Sequence, residues 1–199
     1  MPTLRPPSPT TWNHWWTRVE PDATLPPARP LPRWHAMPRA NAHARNTLSL
    51  VVTLCRRFHL FAHQLRHRHG QRKTVDVVDE YDVQDLMHAL LRLHFEDVRA
   101  EEVTPSVAGK SGRMDFLLKD EGIVVETKMT RRNLKQNDVG DELIVDMKRC
   151  RSHPDHRTLV CLVYDPAGYC HAPVALENDL TGEDADFRSV VIVCPKGMW

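Results

Sequence analysis

Apolar residues recur at three- and four-residue steps through Leu48, Val51, Val52, Cys55, Phe58, Ala62 and Leu65, the period of one helical face. A long amphipathic helix is therefore expected from about Asn41 to Gly70. After a short polar connection over residues 71–79, "YDVQDLMHALLRLHF" places Val83, Leu86, Met87, Leu90 and Leu91 on the core face of a second helix. The pattern then shortens. "EEVTPSVAG", "RMDFLL" and "IVVETKM" read as three strands, the last two joined by a tight turn. A third helix follows, with Asn137 as its expected N-cap and Val139, Leu143, Met147 and Cys150 on one face. Beyond the "HPDH" turn, "LVCLVYD" and "VVIVC" are continuous apolar runs of the kind found in strands buried on both faces, and a short helical pattern from Val174 to Leu180 lies between them. The order helix, three strands, helix, strand, helix, strand predicts an α/β layer fold with a mixed sheet.

Composition adds three things. The chain has 199 residues, 41% hydrophobic and 27% charged, the balance of one compact soluble domain with appendages. No apolar run reaches the length of a membrane span and the first residues lack an apolar signal core, so a cytoplasmic protein is expected. Cys55, Cys150, Cys161, Cys170 and Cys194 are odd in number, widely spaced and mostly inside apolar stretches, which predicts buried, reduced thiols rather than a disulfide framework or a zinc site. Residues 1–38 differ from the rest. They hold ten of the fifteen prolines and four of the five tryptophans, a composition that builds no core of its own. The segment is either disordered or an extended arm docking its tryptophans on the body or on another subunit. The expected organisation is a Pro/Trp-rich arm over 1–38, a long amphipathic helix over 39–73 and the α/β domain over 74–199.

"RMDFLLKDEGIVVETK" carries charges that a plain hairpin does not need. Strand alternation puts Arg113, Asp115 and Leu117 on one face, and Val124, Glu126 and Lys128 on the matching face of the next strand. A turn on Asp120 and Glu121 sets Asp115 opposite Glu126, whereas a turn on Glu121 and Gly122 sets it opposite Lys128. In either register the three charges share a face with Leu117 and Val124. On a solvated face Lys128 would simply pair with a neighbouring carboxylate, but buried carboxylates must be paired or bind metal. Two opposed carboxylates repel unless a cation lies between them, and a hard divalent cation takes carboxylate oxygens, backbone carbonyls and water. Such a site suits metal-assisted phosphodiester hydrolysis, with Lys128 positioning the attacking water or stabilising the transition state.

These stretches, with "YDVQDLMHALL" before them and "VGDELIVDMKRC" and "LVCLVYDP" after them, resemble the PD-(D/E)xK nuclease superfamily in its restriction-endonuclease-like branch, over roughly residues 79–195. The resemblance implies an αβββαβ core, magnesium or manganese as cofactor, and DNA cleavage in restriction or phage defence. It maps the metal-binding carboxylates to Asp115 and Glu126, with Thr127 between Glu126 and the catalytic lysine, Lys128, completing the metal set. Met114 stands where the family often has proline. The helical Glu or Gln that many members place beside the metal matches Gln84 best, with Glu80 and Asp85 as further candidates.

The remaining signals are weaker. "AGKSG" lacks the first glycine of a P-loop, because Thr104 stands there. It is expected to be a turn, with Lys110 and Arg113 near the nucleic-acid backbone. Arg131, Arg132 and Lys135 form a second phosphate-binding cluster beside Lys128. His59, His63 and His67 lie among arginines and read as a solvated basic helix face rather than a metal site, since no carboxylate or cysteine completes the set. The net charge of +1 leaves affinity for phosphate to such local clusters. The apolar stripe of the long helix predicts self-association, with the arm as a further protein-binding element. The competing function is a non-catalytic module on a nuclease fold.

Overall fold

The computed structural model describes residues 39–72, 75–103, 113–152 and 156–196. Residues 1–38 and Lys110 lie outside them. The elements are α1 (Arg39–Arg66), α2 (Glu80–Arg92), β1 (Val98–Val103), β2 (Arg113–Leu118), β3 (Ile123–Met129), α3 (Gln136–Arg151), β4 (Thr158–Tyr164), α4 (Pro173–Leu180), β5 (Gly182–Glu183) and β6 (Arg188–Cys194). One six-stranded sheet has the order β1-β2-β3-β4-β6-β5. The pairs β1–β2 and β2–β3 are antiparallel, while β3–β4 and β4–β6 are parallel. The mixed α/β core expected from the hydrophobic pattern is present.

The sheet is covered on both faces, which explains why β4 and β6 read as unbroken apolar runs. On one face Val160, Leu162 and Ile192 pack with Phe116 and Val125 against α1 and α2. On the other, Leu159, Cys161, Val191 and Val193 pack against α3 and α4. All five cysteines are buried and unbridged, and burial pushes the Cys55 and Cys150 thiols up to about 12. They are inert core residues.

The long helix differs from its expected role. Val51, Cys55, Phe58 and Ala62 are buried in the same cluster as α2 and the sheet, and the Phe58 ring meets Tyr164 of β4 edge-on at 5.1 Å. The stripe expected to be surplus for a second copy is thus occupied within the chain. Phe58→Ala is expected to destabilise by about 3–5 kcal/mol in urea unfolding, as for a core aromatic that leaves a cavity. A variant beginning near Val75 would expose this sheet face and is expected not to fold.

Two smaller differences concern helix ends. The first helix stops at Arg66, before Gly70. At α3 the side chain of Asp138, not Asn137, closes the first turn, accepting the Lys135 N–H at 3.1 Å. The C-terminal ends of β3 and β4 are tied together where Thr130 N–H donates to the Tyr164 carbonyl at 3.0 Å and Thr130 Oγ1 donates to buried Asp165. That tie fixes the end of β3 that carries Glu126 and Lys128.

Candidate active site

The β2–β3 register is Phe116↔Val125, Leu117↔Val124 and Leu118↔Ile123. It is the first of the two expected registers, and the same offset carries Asp115 to Glu126. Gly122, at φ 63°, takes the left-handed conformation this turn requires. The ladder ends at Phe116↔Val125, and side chains replace it. Asp115 N–H donates to Glu126 Oε2 at 3.3 Å, and Thr127 N–H donates to Asp115 Oδ2 at 2.8 Å. On the β1 side, pairs Ala100↔Phe116 and Glu102↔Met114 flank Glu101, whose φ of 54° is rare for a residue with a side chain. Asp115 therefore sits where pairing to both neighbouring strands is interrupted. Strain of this kind persists where the surrounding structure enforces it.

This interruption corrects the expectation that all three charges share one face. Met114 joins Leu117 and Val124 in the α3-side cluster, while the Asp115 carboxylate turns toward α2. Its Oδ1 accepts from Gln84 Nε2 at 3.0 Å and its Oδ2 accepts from Thr127 Oγ1 at 2.7 Å. Alternation fails here because a strand released from its ladder is free to twist. One turn earlier on α2, Glu80 accepts the Met129 N–H at 3.2 Å. Both α2 residues are held in place by a helix start in which Asp82 N–H donates to Asp79 Oδ1 and Asp79 N–H donates to Asp82 Oδ2. Asp85 stays exposed.

Lys128 is enclosed by carboxylates from three elements: Glu126 at 3.2 Å, Asp146 at 3.5 Å and Glu80 at 3.9 Å, with the lysine side chain only 13% exposed. Burial alone would lower the ammonium, but Glu126, Asp146 and Glu80 outweigh it and hold its pKa well above the usual lysine value. Lys128 is a fixed cation. Burial, and then the neighbouring Asp115, push Glu126 well above the ordinary carboxylate range against the pull of Lys128. Burial also raises Asp115, although hydrogen bonds from Thr127 and the charge of Lys128 oppose it. The carboxylates are thus short of positive charge.

Asp146 was not anticipated, yet the sequence holds a signal for it. It falls on the stripe Val139, Leu143 and Cys150, which are buried, and so places a carboxylate within an apolar helix face. Its other oxygen accepts from Arg149 at 3.1 Å. Four carboxylates, Glu80, Asp115, Glu126 and Asp146, face two cations, Lys128 and Arg149, leaving two negative charges when all are ionised. That balance suits a divalent ion.

Among the described residues no three His, Cys, Asp or Glu side chains are arranged to hold a metal by themselves. Two carboxylates and a backbone carbonyl fit a magnesium ion that keeps several waters. Thr127 fits as the carbonyl donor. Its hydroxyl is given to Asp115, but its N–H points into the gap between β2 and β3, and in a strand the C=O of a residue points the same way.

The expected phosphate contacts lie on the surface, and one of them, Arg113, lines a cavity that Asp115 also lines. Arg113, Arg131, Arg132 and Lys135 are exposed. Arg113 pairs with Glu101 at 2.9 Å, and Arg131 closes a tight turn with Leu134. His59 hydrogen-bonds Tyr164 Oη at 3.1 Å, and the His59, His63 and His67 rings follow one another at centroid distances of 6.1 and 4.1 Å.

The family model described as REase_DpnII-MboI matches residues 49–196, including most of α1 and the whole sheet. The chain belongs to the DpnII-MboI restriction endonuclease family. No curated protein and no solved structure gives a significant match. Family membership makes the chain a nuclease of the restriction-endonuclease-like PD-(D/E)xK superfamily. The matched span includes the part of α1 whose Val51, Cys55, Phe58 and Ala62 cover the sheet that carries Asp115 and Glu126. In this DpnII-MboI family member Asp146→Asn removes one of three charges that fix Lys128. A roughly tenfold lower kcat with KM little changed is expected in steady-state cleavage, since small misplacements at a reacting centre are costly.

Proposed function

We propose that this restriction-endonuclease family member is a divalent-metal-dependent DNA endonuclease that acts in the cytoplasm against foreign DNA, with Asp115, Glu126, Lys128 and Gln84 forming its active site. The observation that carries this reading is the enclosed Lys128 beside two carboxylates that burial and mutual repulsion leave short of positive charge. Asp115, Glu126 and the Thr127 carbonyl would hold magnesium or manganese, which when bound neutralises phosphate charge and lowers the pKa of a bound water. Gln84 holds the Asp115 carboxylate in its orientation through the 3.0 Å hydrogen bond. Lys128, kept cationic, stabilises negative charge growing on the phosphate and serves as a fixed donor rather than a base. Arg113, Arg131, Arg132 and Lys135, with Lys110, provide backbone contacts that position the strand without reading its sequence.

The described residues form one such constellation per chain, and cutting both strands of a duplex needs two when each site cuts one strand. A homo-oligomer is therefore proposed as the working form. No described helix is long and apolar enough to cross a membrane. The test is a panel of supercoiled plasmid, single-stranded DNA and RNA, each with magnesium, manganese or EDTA. Metal-dependent cutting of DNA, abolished by EDTA, is expected. Inertness toward every substrate under all conditions would leave the non-catalytic module as the better reading.

A further inference from the structure

Two stripes of α2 serve different purposes. Val83, Met87 and Leu91 are buried in the core. Tyr81, Gln84, Asp85 and His88, at steps of three and four, line an open cavity of about 300 Å³ against the edge of β2. The cavity adjoins the active site, because Gln84 and Asp115 are among its walls and hydrogen-bond each other. One wall is aromatic. The His88 ring stacks on Phe116 with centroids 5.3 Å apart, and Tyr81 stands at the rim, 74% exposed.

The charges decide what it can hold. Asp85, Glu101 and Asp115 contribute carboxylates, and the one arginine among the described lining residues, Arg113, is paired with Glu101 at 2.9 Å. Among the described lining residues carboxylates outnumber cations, so the interior of the cavity does not favour a bare phosphate. A neutral, planar ring with hydrogen-bonding edges is accepted, since aromatic side chains stack on any base while Asp85 and Gln84 offer acceptors and donors. Resting on the proposed nuclease activity, we propose that this cavity takes the nucleobase adjacent to the scissile phosphate, unstacked from its neighbours and stacked on Tyr81. Tyr81 is then a substrate-contacting residue that places the phosphodiester over Asp115.

The test uses the intact chain and oligonucleotides in which each base flanking the mapped cleavage position is replaced in turn by an abasic site. An abasic site at one flanking position is expected to slow wild-type cleavage about tenfold, Tyr81→Ala to slow it by a similar factor, and the two together to be no worse than either, as expected when both remove one stacking contact. Tyr81→Phe should cleave at the wild-type rate, and because Tyr81 is exposed none of these variants threatens the fold. Independently of cleavage, oligonucleotides carrying 2-aminopurine, scanned along the strand in calcium, should show a fluorescence change at one position that is absent with Tyr81→Ala. Multiplicative losses, an unaffected Tyr81→Ala, or fluorescence that ignores this substitution would overturn the base cavity. A chain that cuts nothing but still gives the Tyr81-dependent signal would overturn the nuclease reading instead.

Discussion

Glu126→Gln is expected to lower DNA cleavage by about three orders of magnitude, matching the loss of several kcal/mol of metal-assisted charge stabilisation, while making the metal-free protein more stable. The substitution keeps an oxygen to accept from Asp115 N–H and removes a charge that burial and Asp115 disfavour more than Lys128, at 3.2 Å, favours it. Both Glu126 and Asp115 have folded-state pKa values above the ordinary carboxylate value, so the folded state holds protons that the unfolded chain has released. Their contribution to stability is therefore lost as pH rises above the ordinary carboxylate range. Lys128 adds no slope there, because its raised pKa keeps it charged throughout. In EDTA the wild-type Tm should fall with rising pH and the Glu126→Gln curve should be flatter. Relief of roughly 1 kcal/mol puts the variant about 2–4 °C higher in a domain of this size. A variant melting below wild type across that range would contradict a Glu126 charge disfavoured by burial and by Asp115.

Lys128→Ala is expected to act in the opposite direction on stability and the same direction on rate. It leaves Glu126, Asp146 and Glu80 without the cation they share, and removing one partner of a buried ion pair costs about 3–5 kcal/mol. Partial protonation of Glu126 softens this loss, so the lower end, about 3 kcal/mol in EDTA, is expected. Magnesium should restore part of it by supplying positive charge. Cleavage should fall about 10²–10³-fold even with magnesium saturating, the effect of losing one preorganised donor to a developing oxyanion. Urea unfolding with and without magnesium, beside single-turnover cleavage, separates the two effects. Unchanged cleavage by a folded Lys128→Ala protein would remove this residue from the chemistry.

Much of the fold was legible because the helical and strand periods are strong and the buried runs "LVCLVYD" and "VVIVC" are unbroken. Counting outward from the turn left two registers, with Asp115 across from Glu126 or from Lys128, and only the paired strands select the first. Alternation could not show that Asp115 leaves its expected face, because that depends on a ladder broken on both sides, at Glu101 and at Thr127. The partner of α1 was equally hidden: an apolar stripe says that something covers it, but only the sheet order shows β4 and β6 beneath it. Gln84 was found from a resemblance, and Glu80 proved to lie beside Lys128 as well. Asp146 interrupts the buried stripe of α3, but only the placement of Lys128 and Arg149 beside it shows that its charge is paired rather than solvated.

Metal-dependent cleavage of DNA by Asp115 and Glu126 is tested most directly by the conversion of supercoiled plasmid by wild type and Asp115→Ala, purified side by side and assayed in magnesium and in EDTA. Nicked or linear product from wild type in magnesium alone, with none from a folded Asp115→Ala protein, is the expected result. Equal cutting by both proteins, or cutting that survives EDTA, would contradict it.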